Sequence, residues 1–192
     1  MGVEELSQAR ASLLTRPVAN SFCPREKSDH MGVIKFRYDV PLDQTMAFEA
    51  VYHEGLQLDL DEKTEILEIP GSIFVWMFVD GELAGEAYGS PLLACDKSIE
   101  GLVGLTDEEE GAAIYCYSNT ILPVFQKRGL GTILKSHWLG LAVGKGFEIV
   151  YGHARPHGSQ ALNARFGAVL LDGFPDWYGT GEEYRLYRLA LK

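Results

Sequence analysis

Residues 123–138 read "PVFQKRGLGTILKSHW". A proline follows the strand-like run "AAIYCYSNTIL". Gln126, Lys127 and Arg128 then stand directly before Gly129 and Gly131, and an amphipathic stretch begins at once. A strand, a loop with basic side chains and glycines, and a helix start form a layout that suits an anion. The first-turn amides of a helix have no intrahelical partner, and the macrodipole places about half a positive charge there. Gly129 and Gly131 let backbone approach a phosphate closely, while Lys127 and Arg128 add charge.

Two familiar nucleotide motifs are absent. The Walker pattern G-x-x-x-x-G-K-[ST] does not occur, and Leu134 stands where a dinucleotide fingerprint needs its third glycine.

Outward from this stretch the chain reads as one α/β domain. "VIKFRYDV" at 33–40 alternates in the manner of a strand, with Ile34, Phe36, Tyr38 and Val40 on one face. Asp43 is a candidate N-cap for a helix that follows Pro41, and "DEKTEILEI" reads as a second short helix. "SIFVWMFVDGELAGEAYGS" predicts a hairpin turning at Asp80-Gly81. A long acidic loop over 91–111 ends in "TDEEEG" and leads into the strand before Pro123. "GLGTILKSHWLGLAVGKG" predicts a helix with Ile133, Leu134, Trp138, Leu141 and Ala142 on one face. "FEIVYGHA", "AVLLDGF" and "EYRLYRLAL" are further strands, and "SQALNARFG" is a short helix. The order is β-α-α-β-β-β-α-β-α-β-β, without internal repeat.

Residues 1–30 carry little pattern beyond a short helical run and two prolines, and are expected to form an N-terminal extension ahead of a domain over 31–192. The 192 residues have ordinary globular composition, with 46% hydrophobic and 23% charged residues. A net charge of −10 disfavours nucleic acid and anionic membranes and favours cationic partners. Cys23, Cys95 and Cys116 form no C-x-x-C pair, so a reducing cytoplasm is expected, without a disulfide framework or structural zinc. His153 and His157 are spaced like a ligand pair, but Pro156 breaks any helix that would hold them, and no metal is expected. His53 and His137 fall in predicted helices as packed or surface residues. The longest apolar run, "IFVWMFV" at 73–79, is too short to span a bilayer.

The strand ending in Ile121, Leu122 and Pro123, followed by Gln126-Lys127-Arg128-Gly129-Leu130-Gly131, resembles the GNAT superfamily of acyl-CoA N-acyltransferases. That family's signature is Q/R-x-x-G-x-G/A after a strand ending in V-x-P. The element order from 33 to 192 is also the family's. The resemblance implies a single GNAT-like domain, with a mixed, mostly antiparallel sheet flanked by helices, which moves an acetyl group from acetyl-CoA to a primary amine by direct attack on the thioester. It implies that the amides from Arg128 through Thr132 cradle the CoA pyrophosphate, with Gln126, Lys127, Gly129, Leu130 and Gly131 in the same loop. The strand edge at Thr120, Ile121 and Leu122 would pair with the pantetheine arm, and Asn163 and Phe166 would lie near the cofactor. A backbone amide near Ile121 would hold the oxyanion.

For the chemistry, an amine with a pKa near 10 must lose a proton before it attacks. The resemblance points to Tyr115 and Tyr117, which share a strand face; each could orient substrate, pass a proton, or fill that face. Glu86 is a carboxylate candidate on a neighbouring strand, and Glu110 lies near a strand start. Where the family often supplies a tyrosine acid, "ARFGA" aligns Asn163. Asn163 could donate weakly, Tyr178 of "DWYGTGEE" could reach in, or the helix register could be shifted. Acidic residues at 59–68 and in the loop carrying Asp96, Glu100 and 107–110 suit a cationic acceptor, either a small molecule or a peptide amine. A monomer or homodimer is expected. The rival is a CoA-binding sensor or interaction module of the same fold that does not catalyse.

Overall fold

A computed structural model describes residues 32–52, 56–95, 99, 101–102 and 105–191. The expected extension over 1–30, with Cys23, lies outside the described residues, as do His53, Asp96 and Glu100. Seven strands form one sheet: β1 (Ile34–Arg37), β2 (Ile73–Val79), β3 (Glu82–Pro91), β4 (Ala113–Ile121), β5 (Ile149–Ala154), β6 (Val169–Phe174) and β7 (Tyr184–Ala190). Their spatial order is β1-β2-β3-β4-β5-β7-β6, and every neighbouring pair is antiparallel except β4 with β5. The α-helices are α1 (Leu60–Glu68), α2 (Asp107–Gly111), α3 (Leu130–Gly144) and α4 (Gly158–Arg165). The expected mixed α/β sheet with its element order is therefore present.

The β2–β3 hairpin turns where the sequence predicts, with Asp80 at φ 53° and Gly81 at φ 87°, the pair of positive φ values that a type I′ turn requires. The Asp80 carboxylate also accepts from the Val33 amide at 2.8 Å, tying the start of β1 to the turn. "IFVWMFV" is apolar throughout because both faces of β2 are covered. Ile73, Val75, Met77 and Val79 join the core beneath α3, while Phe74 and Trp76 pack with Phe48 and Tyr88 on the other face.

Three local expectations change. The helix after Pro41 is a 3-10 helix over Leu42–Val51, and Asp43 does not cap it; its carboxylate takes only the adjacent Gln44 amide. "TDEEEG" is not loop but α2, nucleated by Thr106, whose hydroxyl accepts from the Glu109 amide at 3.2 Å. On α3 the buried face is Leu130, Leu134, Lys135, Trp138, Leu139 and Ala142, with Ile133 and Leu141 only half-buried. The true face is rotated from the expected one and includes a lysine. No helix of the described residues is long and apolar enough to cross a membrane.

Candidate functional site

β4 and β5 run side by side only where Ala113–Tyr115 face Ile149–Tyr151. Beyond that point β5 pairs with β7 alone, and the outer edge of β4 loses its strand neighbour. A cleft of about 890 Å³ opens along this split, running from the start of α3 to the turn between β6 and β7.

The register decides which backbone groups face the cleft. The Leu122 amide donates to Ala84 O at 2.9 Å on β3, and in an antiparallel pair alternate residues point their backbone groups the same way. Leu122 and Thr120 are thus turned to β3, and Asn119 and Ile121 present the open edge. Of the three residues expected to offer that edge, only Ile121 does so. Leu122 packs into the core and does not line the cleft, whereas Thr120 contributes its side chain. Gln126 lines the cleft, and its side-chain amide donates to Ile121 O at 2.9 Å, folding the loop back onto the strand.

At the outer end Gly129 is the N-cap of α3 at φ 77°, and no side chain caps the helix. A left-handed N-cap followed by Leu130 and Gly131 leaves their amides without intrahelical partners. Thr132, expected among the cradle amides, is not available, because its N–H already donates to Gly129 O at 3.1 Å. Gly131 has no steric need of its own. A β-carbon there would meet only Ile121 and Leu162, at 3.8 Å, both in the cleft wall. Lys127 lines the cleft, whereas the Arg128 guanidinium lies 6.0 Å above the Phe125 ring, outside it. Phe166, expected near a cofactor, instead ends α4 against the core.

Asn163 is 5% exposed, lines the cleft, and its amide oxygen has no hydrogen-bond partner; the same is true of the Asn119 amide oxygen. Buried carbonyl oxygens left in this state suit a ligand that brings N–H donors.

At the inner end Tyr115 Oη lies 2.7 Å from His153 Nδ1 on β5. Burial pushes the Tyr115 phenol well above its ordinary range, so Tyr115 keeps its proton, and the histidine tautomer sets which of Oη and Nδ1 donates in the bond they share. Tyr117 meets Tyr115 edge-on at 4.9 Å, and Trp177 stacks on the His153 ring at 4.1 Å. Tyr178 is 64% exposed at the cleft mouth with φ 48°, beside Asp176 at φ 53°. His157 sits exposed as the N-cap of α4, whereas His153 lies on β5. Among the described residues no three side chains cluster to hold a metal.

Glu86 is not at the cleft. It is 1% exposed, and both its oxygens lie 3.0 Å from Lys63 Nζ, which also donates to Glu49 at 2.9 Å. Burial lifts its carboxyl to about 7, opposed by Lys63. Next to this triad the Tyr52 hydroxyl bonds Ser118 at 2.6 Å and also Thr120. The group braces the wall formed by the 3-10 helix and α1 against β3 and β4. Of the acidic residues expected at an entrance, Glu62 of α1 lines the cleft. Those of α2 do not, and Glu109 is engaged by Tyr151 at 2.6 Å and Arg188 at 3.2 Å. Glu182 lines the cleft without having been expected. So do Tyr52, His153, Trp177 and Lys135.

No family model matches this sequence, and no curated relative does. Solved structures do. The ribosomal-protein-S18-alanine N-acetyltransferase from Escherichia coli is 16% identical over 83% of this chain and 95% of its own, with TM-score 0.61. NAA60 from Arabidopsis thaliana, solved with acetyl-CoA, is 17% identical over 83% and 99%, with TM-score 0.64. An acetyltransferase assigned to the GNAT family from Desulfovibrio desulfuricans is 19% identical over 83% and 100%, with TM-score 0.55. At these identities the likeness is one of fold.

Proposed function

Starting from a chain that carries the fold of the GNAT N-acetyltransferases, we propose that it transfers an acetyl group from acetyl-CoA to a primary amine by direct attack on the thioester. The single observation that carries this reading is the continuity of one cleft. The uncapped start of α3 stands at one end and the Tyr115–His153 pair at the other, and the unpaired edge of β4 runs between them.

In this reading the amides at Gly129, Leu130 and Gly131, with Lys127, take the diphosphate. Asn119 and Ile121 pair with the amide-bearing arm as an added strand would. The Asn163 and Asn119 side-chain oxygens accept from that arm. Its thioester then reaches the fork next to Tyr115.

Tyr115 cannot act as a phenolate base, since burial holds its proton. It relays instead: its oxygen takes the amine proton while its own proton passes to His153 Nδ1. The amine nitrogen attacks the carbonyl carbon, a cleft-facing amide of Asn119 or Ile121 holds the oxyanion, and the C–S bond breaks to release the CoA thiolate. Glu62 and Glu182 favour a cationic acceptor at the mouth. The E. coli neighbour acts on an alanine of a ribosomal protein, so a peptide amine stands beside a small-molecule amine. Among the described residues Cys95 and Cys116 are free thiols; we further propose a reducing cytoplasmic setting, a folded domain over 31–192 and an extension over 1–30.

The test is incubation of the purified protein with acetyl-CoA and a panel of small and peptide amines while free thiol is followed. Thiol release that requires an amine is expected. Tight CoA binding with no release on any amine would instead mean a non-catalytic CoA-binding module.

A further inference from the structure

Among the described residues two lysines are buried, and they are housed in opposite ways. Lys63 is held by the carboxylates of Glu49 and Glu86. Lys135, 1% exposed, has no carboxylate within ion-pair distance among the described residues. Its Nζ lies 3.1 Å from Tyr187 Oη and 3.5 Å from Cys116 Sγ, above the rings of Trp138 at 5.3 Å and Tyr187 at 5.2 Å. Neutral hydrogen bonds and ring faces offset only part of what it costs to take an ammonium out of water. An anion brought alongside Nζ would offset the rest.

The position says which anion. Lys135 follows Gly131 by four residues and so lies one turn deeper on the same side of α3. Its ammonium reaches Cys116, the first residue of β4 beyond the last β4–β5 rung at Tyr115. It therefore borders the inner end of the cleft from the helix side, while Tyr115, Tyr117 and His153 border it from the other. A ligand anchored at Gly129–Gly131 and lying along β4 brings its far end there.

We propose that Lys135 is a catalytic residue that receives the sulfur of the departing CoA thiolate; this rests on the acetyl-transfer reading above. As the tetrahedral intermediate collapses, the C–S bond breaks and its electron pair leaves on sulfur. The Lys135 ammonium pairs with that thiolate and keeps its own proton. The amine proton goes by way of Tyr115 to His153. The products are the amide, the CoA thiolate and one proton on the enzyme. The role expected of Asn163 or Tyr178, stabilising the leaving group, then belongs to neither.

The experiment compares CoA with desulfo-CoA, which lacks the sulfhydryl group, by calorimetry on wild type, Lys135→Met and Lys135→Arg, with circular dichroism to verify the fold. Above pH ~8.5, where the free thiol ionises, wild type is expected to favour CoA on the order of 10-fold, as one charge-assisted contact allows. Lys135→Arg keeps a preference. Lys135→Met binds both ligands alike, with its desulfo-CoA affinity unchanged. Equal binding of the two ligands by wild type overturns the proposal even if Lys135→Met does not fold, and so does an undiminished preference in a folded Lys135→Met. If wild type binds neither ligand, the acetyl-CoA reading falls and the lysine's role falls with it, a result distinct from the other two.

Discussion

Tyr115 on β4 and His153 on β5 share a hydrogen bond of 2.7 Å just where the two strands part. The bond joins residues 38 apart in the chain, and in the proposed mechanism it lets a phenol that burial keeps protonated serve as a proton relay. Tyr115→Phe and His153→Ala should each lower kcat on the order of 10²-fold or more, the usual range for a general acid–base group. Acetyl-CoA affinity should be nearly unchanged, since neither residue lies at the α3 end. Steady-state kinetics with titration of the donor checks both halves, and an unaltered kcat in Tyr115→Phe would remove the relay.

No packing contact requires a glycine at 131. Because a β-carbon at this position meets nothing closer than 3.8 Å, Gly131→Trp should fold with a melting temperature close to wild type. It should lose CoA affinity on the order of 100-fold, since the side chain fills the space next to the free amides. Thermal melts paired with calorimetry decide. Tight CoA binding by this variant would place the diphosphate elsewhere.

Glu86 sets a pH dependence of stability. Its carboxyl rises from the ordinary 4.5 to about 7 on burial, against the pull of Lys63. Between those values the folded chain keeps a proton that the unfolded chain has released, so stability falls as pH rises through that window. The loss is at most about 3 kcal/mol. Groups held low, such as Asp39 next to Arg37 and Glu109 under Tyr151, act with the opposite sign below the usual carboxylate range. Glu86→Gln should flatten the slope between 4.5 and 7 in denaturant titrations at a series of pH values; a slope as steep as wild type's would assign it to another group.

Tyr178 carries strain at the mouth. Its φ of 48° costs a non-glycine residue about 1 kcal/mol or more, and its side chain is mostly in water. Tyr178→Gly should leave the melting temperature equal or higher while raising the acceptor KM on the order of 5-fold, one lost aromatic contact. A lower melting temperature with unchanged KM would make the turn merely structural.

What could be read in the sequence follows from how local each signal is. Asp80-Gly81 and "QKRGLG" are each contiguous, and the hairpin and the start of α3 stand where those residues put them. Tyr115 and Tyr117 share a face by strand alternation alone. His153 was legible as a strand residue but not as the partner of Tyr115, since that contact depends on the parallel β4–β5 register. Glu86 read as a free carboxylate because nothing local announces Lys63, which arrives from a helix 23 residues earlier. Lys135 was not among the residues expected on the apolar face of α3, and only the rotation of α3 on the sheet buries it. Thr132 read as a free amide because the tightened first turn that engages it leaves no mark in the residue types.

The parting of β4 from β5 has one more effect, on time rather than place. Asn119 and Ile121 belong to the middle strand of a seven-stranded sheet, yet their amides face a cleft instead of a strand. They should exchange with deuterium at the pace of a loop while Thr120, between them, stays slow. A bound arm along that edge would silence both at once, so the seam carries its own gauge of occupancy.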